Sequence, residues 1–343
     1  MNAHIYNNPQ GETSAGQRSP QWVNEFANSI RSKDELLREL ALTESDLPYQ
    51  LGDGGDFSLR VPRSYVARMK SQDPMDPLLL QVIPRLSEEE VLAAFVCDPV
   101  GDLTATKQCG ILQKYVGRVL LMVTSSCAVH CRYCFRREYP YDDGVAKGSE
   151  LDLALASIDA DQSISEVILS GGDPLSMATP ILRSLLYRIQ EISHVKRIRI
   201  HTRFPIVLPS RIDKEFLGAI GGLHKRMTIV LHANHANELR DDCAEALQKL
   251  HKSGVALLNQ SVLLRGVNDS VESLANLSET LHELGVLPYY LHALDRVRGA
   301  HEFFVEDARG IKLIEGLRQI LPGYLVPRFV REEAGEPSKT ALI

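Results

Sequence analysis

Residues 118–137 read RVLLMVTSSCAVHCRYCFRR. The first seven, Arg118–Thr124, form the kind of apolar run expected of a strand buried on both faces. The run breaks into a polar loop with three cysteines, Cys127-x3-Cys131-x2-Cys134. Three thiolates can hold three corners of a four-iron cube and leave the fourth iron open to a substrate. An electron-transfer ferredoxin would want a fourth cysteine close by, but the next one is Cys243. A zinc site completed by His130 is the competing reading. Short zinc loops, however, pair two cysteines with a distant second pair, which this chain lacks.

Outward from this loop, similar apolar runs recur at Glu166–Gly172, Arg197–Arg203, Met227–Ala233, Ala256–Leu263 and Leu287–Leu294. Helical periodicity fits between them, as at Ile181–Ile192 and Asp241–Lys252. Repeated β–α units predict a parallel sheet or barrel; six units, fewer than the eight of a closed barrel, would make the latter a partial (β/α)6 barrel. A seventh run, Tyr324–Val330, is placed to cover its open side. In such folds ligands bind at the C-terminal ends of the strands. Cys127, Gly171, Gly172, Asp173, His201, Arg203, His232 and Asp295 fall there, with Gln260 inside the fifth run.

Before the first run, apolar residues from Gln21 to Leu42 recur at helical spacing, and prolines then punctuate the chain. The organisation expected is a mostly helical N-terminal extension over 1–110, a barrel core over 111–300 and a C-terminal strand and loop segment over 301–343. The chain has 343 residues and net charge −6 without a long basic block, which argues against a nucleic-acid partner. No apolar run reaches the roughly 18 residues of a membrane span, and the polar first residues lack a secretory centre. A cytoplasmic protein without a disulfide scaffold is expected, with Cys97, Cys109 and Cys243 as ordinary thiols.

The pattern Cys127, Cys131, Tyr133, Cys134 resembles the radical S-adenosylmethionine signature, and Ser170-Gly-Gly-Asp173 resembles that superfamily's motif for the methionyl amino group. The segments SGGDPL, NQSVLLRGVND and PYYLHALDRVRGAHEF, with the cysteine loop, are similar to lysine 2,3-aminomutase over about residues 110–340. Within that family the chain looks most like the short members that make (R)-β-lysine for modification of translation elongation factor P. The resemblance implies an isomerase on a radical S-adenosylmethionine barrel that converts L-lysine to (R)-β-lysine. It implies a [4Fe–4S] cluster on Cys127, Cys131 and Cys134. S-adenosylmethionine would lie near Tyr133, Gly171, Gly172, Asp173, His232 and Gln260. Pyridoxal 5′-phosphate (PLP) would be tied to Lys339, with Arg118 on its phosphate. Arg136 would take the substrate carboxylate, and Asp295 with Glu332 its distal ammonium. Here the family's glycine-rich loop reads Glu333-Ala-Gly-Glu-Pro-Ser-Lys339, and Glu332 stands for an aspartate. A flavodoxin- or ferredoxin-type reductant, a functional link to the ligase that attaches β-lysine to elongation factor P, and a homodimer are further implications. The alternatives are a radical aminomutase for another amino acid, or a metal-stabilised module without catalysis.

Overall fold

The computed structural model describes residues 19–343. Its frame is a sheet of ten strands in sequential order: β1 (Thr106–Gln108), β2 (Ile111–Leu112), β3 (Arg118–Thr124), β4 (Glu166–Gly171), β5 (Arg197–Thr202), β6 (Arg226–Leu231), β7 (Ala256–Val262), β8 (Leu287–His292), β9 (Arg328–Arg331) and β10 (Thr340–Ala341). From β3 to β9 every neighbouring pair is parallel. The six strands read from the sequence are all present, and the late apolar run supplies a seventh, beginning at Arg328.

Helices Ser149–Ala160, Thr179–Glu191, Lys214–Gly221, Asp242–Lys252, Val271–Glu283 and Asp307–Ile320 make the six crossovers. Strand β4 is buried throughout, with apolar Val167, Ile168 and Leu169 at its centre and Glu166 paired with Arg199 at its start. Strands β5 and β7 alternate between buried and half-buried positions. Leu257, Asn259 and Ser261 are the buried set on β7, whereas Leu258, Gln260 and Val262 are half-buried on the other face.

The expected helix over 21–42 is two helices, Gln21–Ala27 and Lys33–Glu39. The periodicity was real, but Ile30 pairs with Val61 as an antiparallel bridge and the Ser32 side chain caps the second helix. Beyond them the N-terminal stretch is mainly turns with short helical pieces. Trp22, Phe26, Leu36 and Leu37 belong to the same hydrophobic cluster as Val119, Val167, Ile198 and Ile229. Trp22 and Phe26 close on Phe204 at ring distances of 6.3 and 5.8 Å.

At one edge β1 and β2 add antiparallel to β3; at the other, β10 adds antiparallel to β9. Among the described residues no strand pairing joins these two edges. Side chains bridge them instead: the Tyr115 hydroxyl donates to Glu332 at 2.8 Å, and Lys114 lies 3.5 Å from the same carboxylate. No helix among the described residues is long and apolar enough to cross a membrane.

Candidate active site

The cysteine loop leaves β3 and is pinned from several sides. The Arg132 amide donates to the Gln81 carbonyl at 2.9 Å, and the Cys134 amide to the Cys131 carbonyl at 3.0 Å. Arg132 and Arg137 both reach the buried Glu88 carboxylate. Burial first, then repulsion from the neighbouring thiolates, pushes the Cys127 thiol well up and the Cys134 thiol to about 11. Thiols raised in this way ionise only beside a cation, so the donor set suits a cluster. Among the described residues no group of three or more His, Cys, Asp or Glu side chains is arranged to hold a metal ion. His130 is engaged elsewhere: it stacks on Phe57 at 4.7 Å, and its Nδ1 lies 2.6 Å from the Ser58 carbonyl.

The SGGD turn lies beneath this loop. Gly171 has φ +120°, and a Cβ there would stand 2.3 Å from the Thr124 carbonyl oxygen; one on Gly172 would stand 2.5 Å from that of Ser126. The glycines therefore let two backbones touch. Asp173 is likewise engaged. One oxygen accepts from the Leu175 amide at 3.0 Å and the Thr202 hydroxyl at 2.7 Å. The other accepts from the amides of Arg203 at 2.6 Å and Phe204 at 3.2 Å. These four bonds fill the acceptor capacity of a carboxylate, so in this arrangement Asp173 joins the ends of β4 and β5. Burial raises its pKa to about 6 against those bonds.

Tyr133 is buried, and its hydroxyl lies 3.3 Å from His232 Nε2. His232 follows β6, and burial and then Arg203 lower its pKa to about 3, so it is a neutral group. Gln260 pairs in register with Tyr290 across β7 and β8. Two histidines, His201, expected at a strand end, and His292, which the sequence reading did not name, have Nε2 atoms without a partner, and burial lowers both pKa values well below the ordinary range. The charge of Lys339 acts on both.

Lys339 sits just before β10, opposite the start of the loop that follows β9, and forms an ion pair with Glu332. Burial opposes ionisation of Glu332, but Lys339, Lys114 and the Tyr115 hydroxyl together hold its carboxyl below the usual range. Asp295 behaves oppositely: burial raises its pKa to about 7, partly offset by Lys339 and reinforced by Glu332. The two acids expected to act together are therefore unlike, one paired and ionised, the other poised near neutrality. Arg118 opens β3, its guanidinium lies over the Tyr115 ring at 4.5 Å, and its Nε has no partner. An unsatisfied donor on a guanidinium fits a phosphate dianion, and Lys339 is an amine of the kind that could tie PLP.

Arg136 is buried; it donates to Asp102 at 2.7 Å and to the Ser170 hydroxyl at 3.0 Å. Asp102 also lies 2.6 Å from Lys114. Sequence reading missed Asp102, Lys114 and Tyr115, because each is an ordinary residue until the fold sets it beside Arg136 or Glu332.

A parallel barrel with a cysteine trio at the end of its first parallel strand defines a radical S-adenosylmethionine protein. A family profile described as a 4Fe-4S single cluster domain matches residues 116–217. L-lysine 2,3-aminomutase of Escherichia coli is 43% identical over 322 residues, 94% of each chain. That of Haemophilus influenzae is 42% identical over 319 residues, 93% of this chain and 94% of its own. The enzyme of that name from Clostridium subterminale is 34% identical over 323 residues, 94% of this chain and 77% of its own. The chain belongs to the lysine 2,3-aminomutase family, whose members are isomerases that work with a [4Fe–4S] cluster, S-adenosylmethionine and PLP.

Proposed function

We propose that this chain moves the α-amino group of free L-lysine to C3, giving (R)-β-lysine, and that the product supplies the modification of translation elongation factor P. The support for lysine as substrate is the name carried by relatives that align along nearly the whole chain. The observation that carries the reading is the presence of both charges at the site. Arg136 is a buried cation paired with Asp102, Lys114 links Asp102 to Glu332, and Asp295 is a buried acid acted on by the same charges, so groups of both signs are present in one connected network. This matches the two ends of a diamino acid. A substrate with an acidic side chain would meet repulsion there.

When bound, the cluster with S-adenosylmethionine supplies a carbon-centred radical, and PLP supplies the π-system over which the nitrogen migrates. The protein's part is to bind, aim and keep out water. Arg136, already oriented by Asp102 and Ser170, donates to the substrate carboxylate at a fixed angle. Asp295 takes the distal ammonium and is ionised by it. Glu332 contributes a second negative charge once Lys339 is engaged elsewhere. Tyr133 and neutral His232 lie together beside the cysteine loop, and Gln260 is the third side chain that would help to place S-adenosylmethionine. Cys127, Cys131 and Cys134 hold the cluster, and Arg118 the PLP phosphate.

The test is anaerobic reconstitution with iron, sulfide, PLP, S-adenosylmethionine and a one-electron reductant, followed by chiral analysis of the product from L-lysine. (R)-β-lysine is expected. The (S) isomer, or turnover of another amino acid in preference to lysine, overturns the assignment.

A further inference from the structure

One buried cation lies against the cysteine loop and has no part in the reading above. Arg203 follows β5, and its amide is fixed by Asp173. Its guanidinium is buried, and Nη1 donates to Cys131 Sγ at 2.7 Å and also to the Tyr133 hydroxyl. Nη2 donates to Gln81 at 2.8 Å, to Glu238 at 2.9 Å and to the Tyr65 hydroxyl at 3.3 Å. Among the described residues, Cys131 alone of the three thiols receives a bond from a charged side chain.

The partner is held as firmly as the cation. Glu238 is fully buried, and its other oxygen accepts from the amides of Asn234 at 2.8 Å and His235 at 3.0 Å and from Gln81 at 3.2 Å. The pair is thus a fixed dipole. Nη1, on the cation, meets the sulfur, while the carboxylate is bound through Nη2. A hydrogen bond or positive charge at a cluster sulfur stabilises the more negative, reduced state.

We propose that Arg203 is a positioning residue that raises the reduction potential of the cluster through Cys131, and that Glu238 limits the rise. The proposal rests on Cys131 being a cluster ligand. The step concerned is a one-electron reduction of the oxidised cluster by an external one-electron donor, with no bond made or broken.

The test is a mediated redox titration of the reconstituted, anaerobic protein, followed by electron paramagnetic resonance of the reduced cluster. Arg203→Gln removes the charge and should lower the reduced-to-oxidised ratio at a fixed potential about tenfold, a midpoint lower by about 59 mV for one electron. Arg203→Lys keeps the charge and should restore most of that ratio. Glu238→Gln removes the opposing charge and should move the ratio the other way. A residue that merely filled space would not give opposite signs for the two partners. Should Arg203→Gln bind no iron, the other two variants decide. A Glu238→Gln protein that is harder to reduce, or an Arg203→Lys protein shifted as far as tenfold, overturns the proposal. Less than a twofold change in all the variants also overturns it. Wild-type protein without any reducible cluster would instead sink the reading of the cysteine loop itself.

Discussion

Lysine binding should strengthen as pH rises from 6 to 8, because of Asp295. Its pKa is about 7, raised chiefly by burial. Below that value the group is neutral and offers an ammonium little; above it the carboxylate is ready. The ionised fraction rises from about a tenth at pH 6 to about nine-tenths at pH 8, so the apparent affinity for a cation should rise about tenfold. The Glu332 carboxyl is held below the usual range by Lys339, Lys114 and Tyr115 against its burial, so the rise is assigned to Asp295. Neutralising Lys339 removes a cation that lowers Asp295, which moves the window upward. The assay is KM for lysine against pH in the anaerobic enzyme, with kcat followed separately. In Asp295→Asn, KM should be high and flat. A flat KM in the parent protein, or a slope that persists in the variant, refutes the reasoning.

Three further outcomes are expected. Lys339→Ala should keep the iron–sulfur absorbance and lose the absorbance of lysine-bound PLP, whereas retention of that absorbance would place the cofactor on another amine. Gly171→Ala forces a side chain into the Thr124 carbonyl at a positive φ; the cost of about 2 kcal/mol or more should appear as a lower unfolding temperature and less iron per chain. Glu88→Ala leaves Arg132, which is 0% exposed, and Arg137 without their shared carboxylate; a loss of about 3–5 kcal/mol is expected, measured by thermal unfolding, and an unchanged stability would show that water reaches the pair.

The strands were legible because a parallel strand covered on both sides must be apolar, and Glu166–Gly171 is buried at every position. The cysteine loop was legible because its ligands lie close together in sequence. What escaped depends on distant chain. Ile30 leaves its helix to pair with Val61, which no local period encodes. Asp173 read as a ligand for an ammonium, yet its acceptors are taken by residues that arrive about thirty positions later at the end of β5. Glu332 read as half of a matched acidic pair, but the turn before β10 brings Lys339 to it. The Arg203–Glu238 dipole joins two loops after separate strands, and neither residue advertises the other.

The two sheet edges meet through Tyr115, Lys114 and Glu332 rather than through a ladder of amides. Parting them breaks one hydrogen bond and a partly solvated ion pair, and leaves every strand intact. The seam is thus held by charge as well as by a hydroxyl, and should loosen with added salt in a way that a ladder of amides would not.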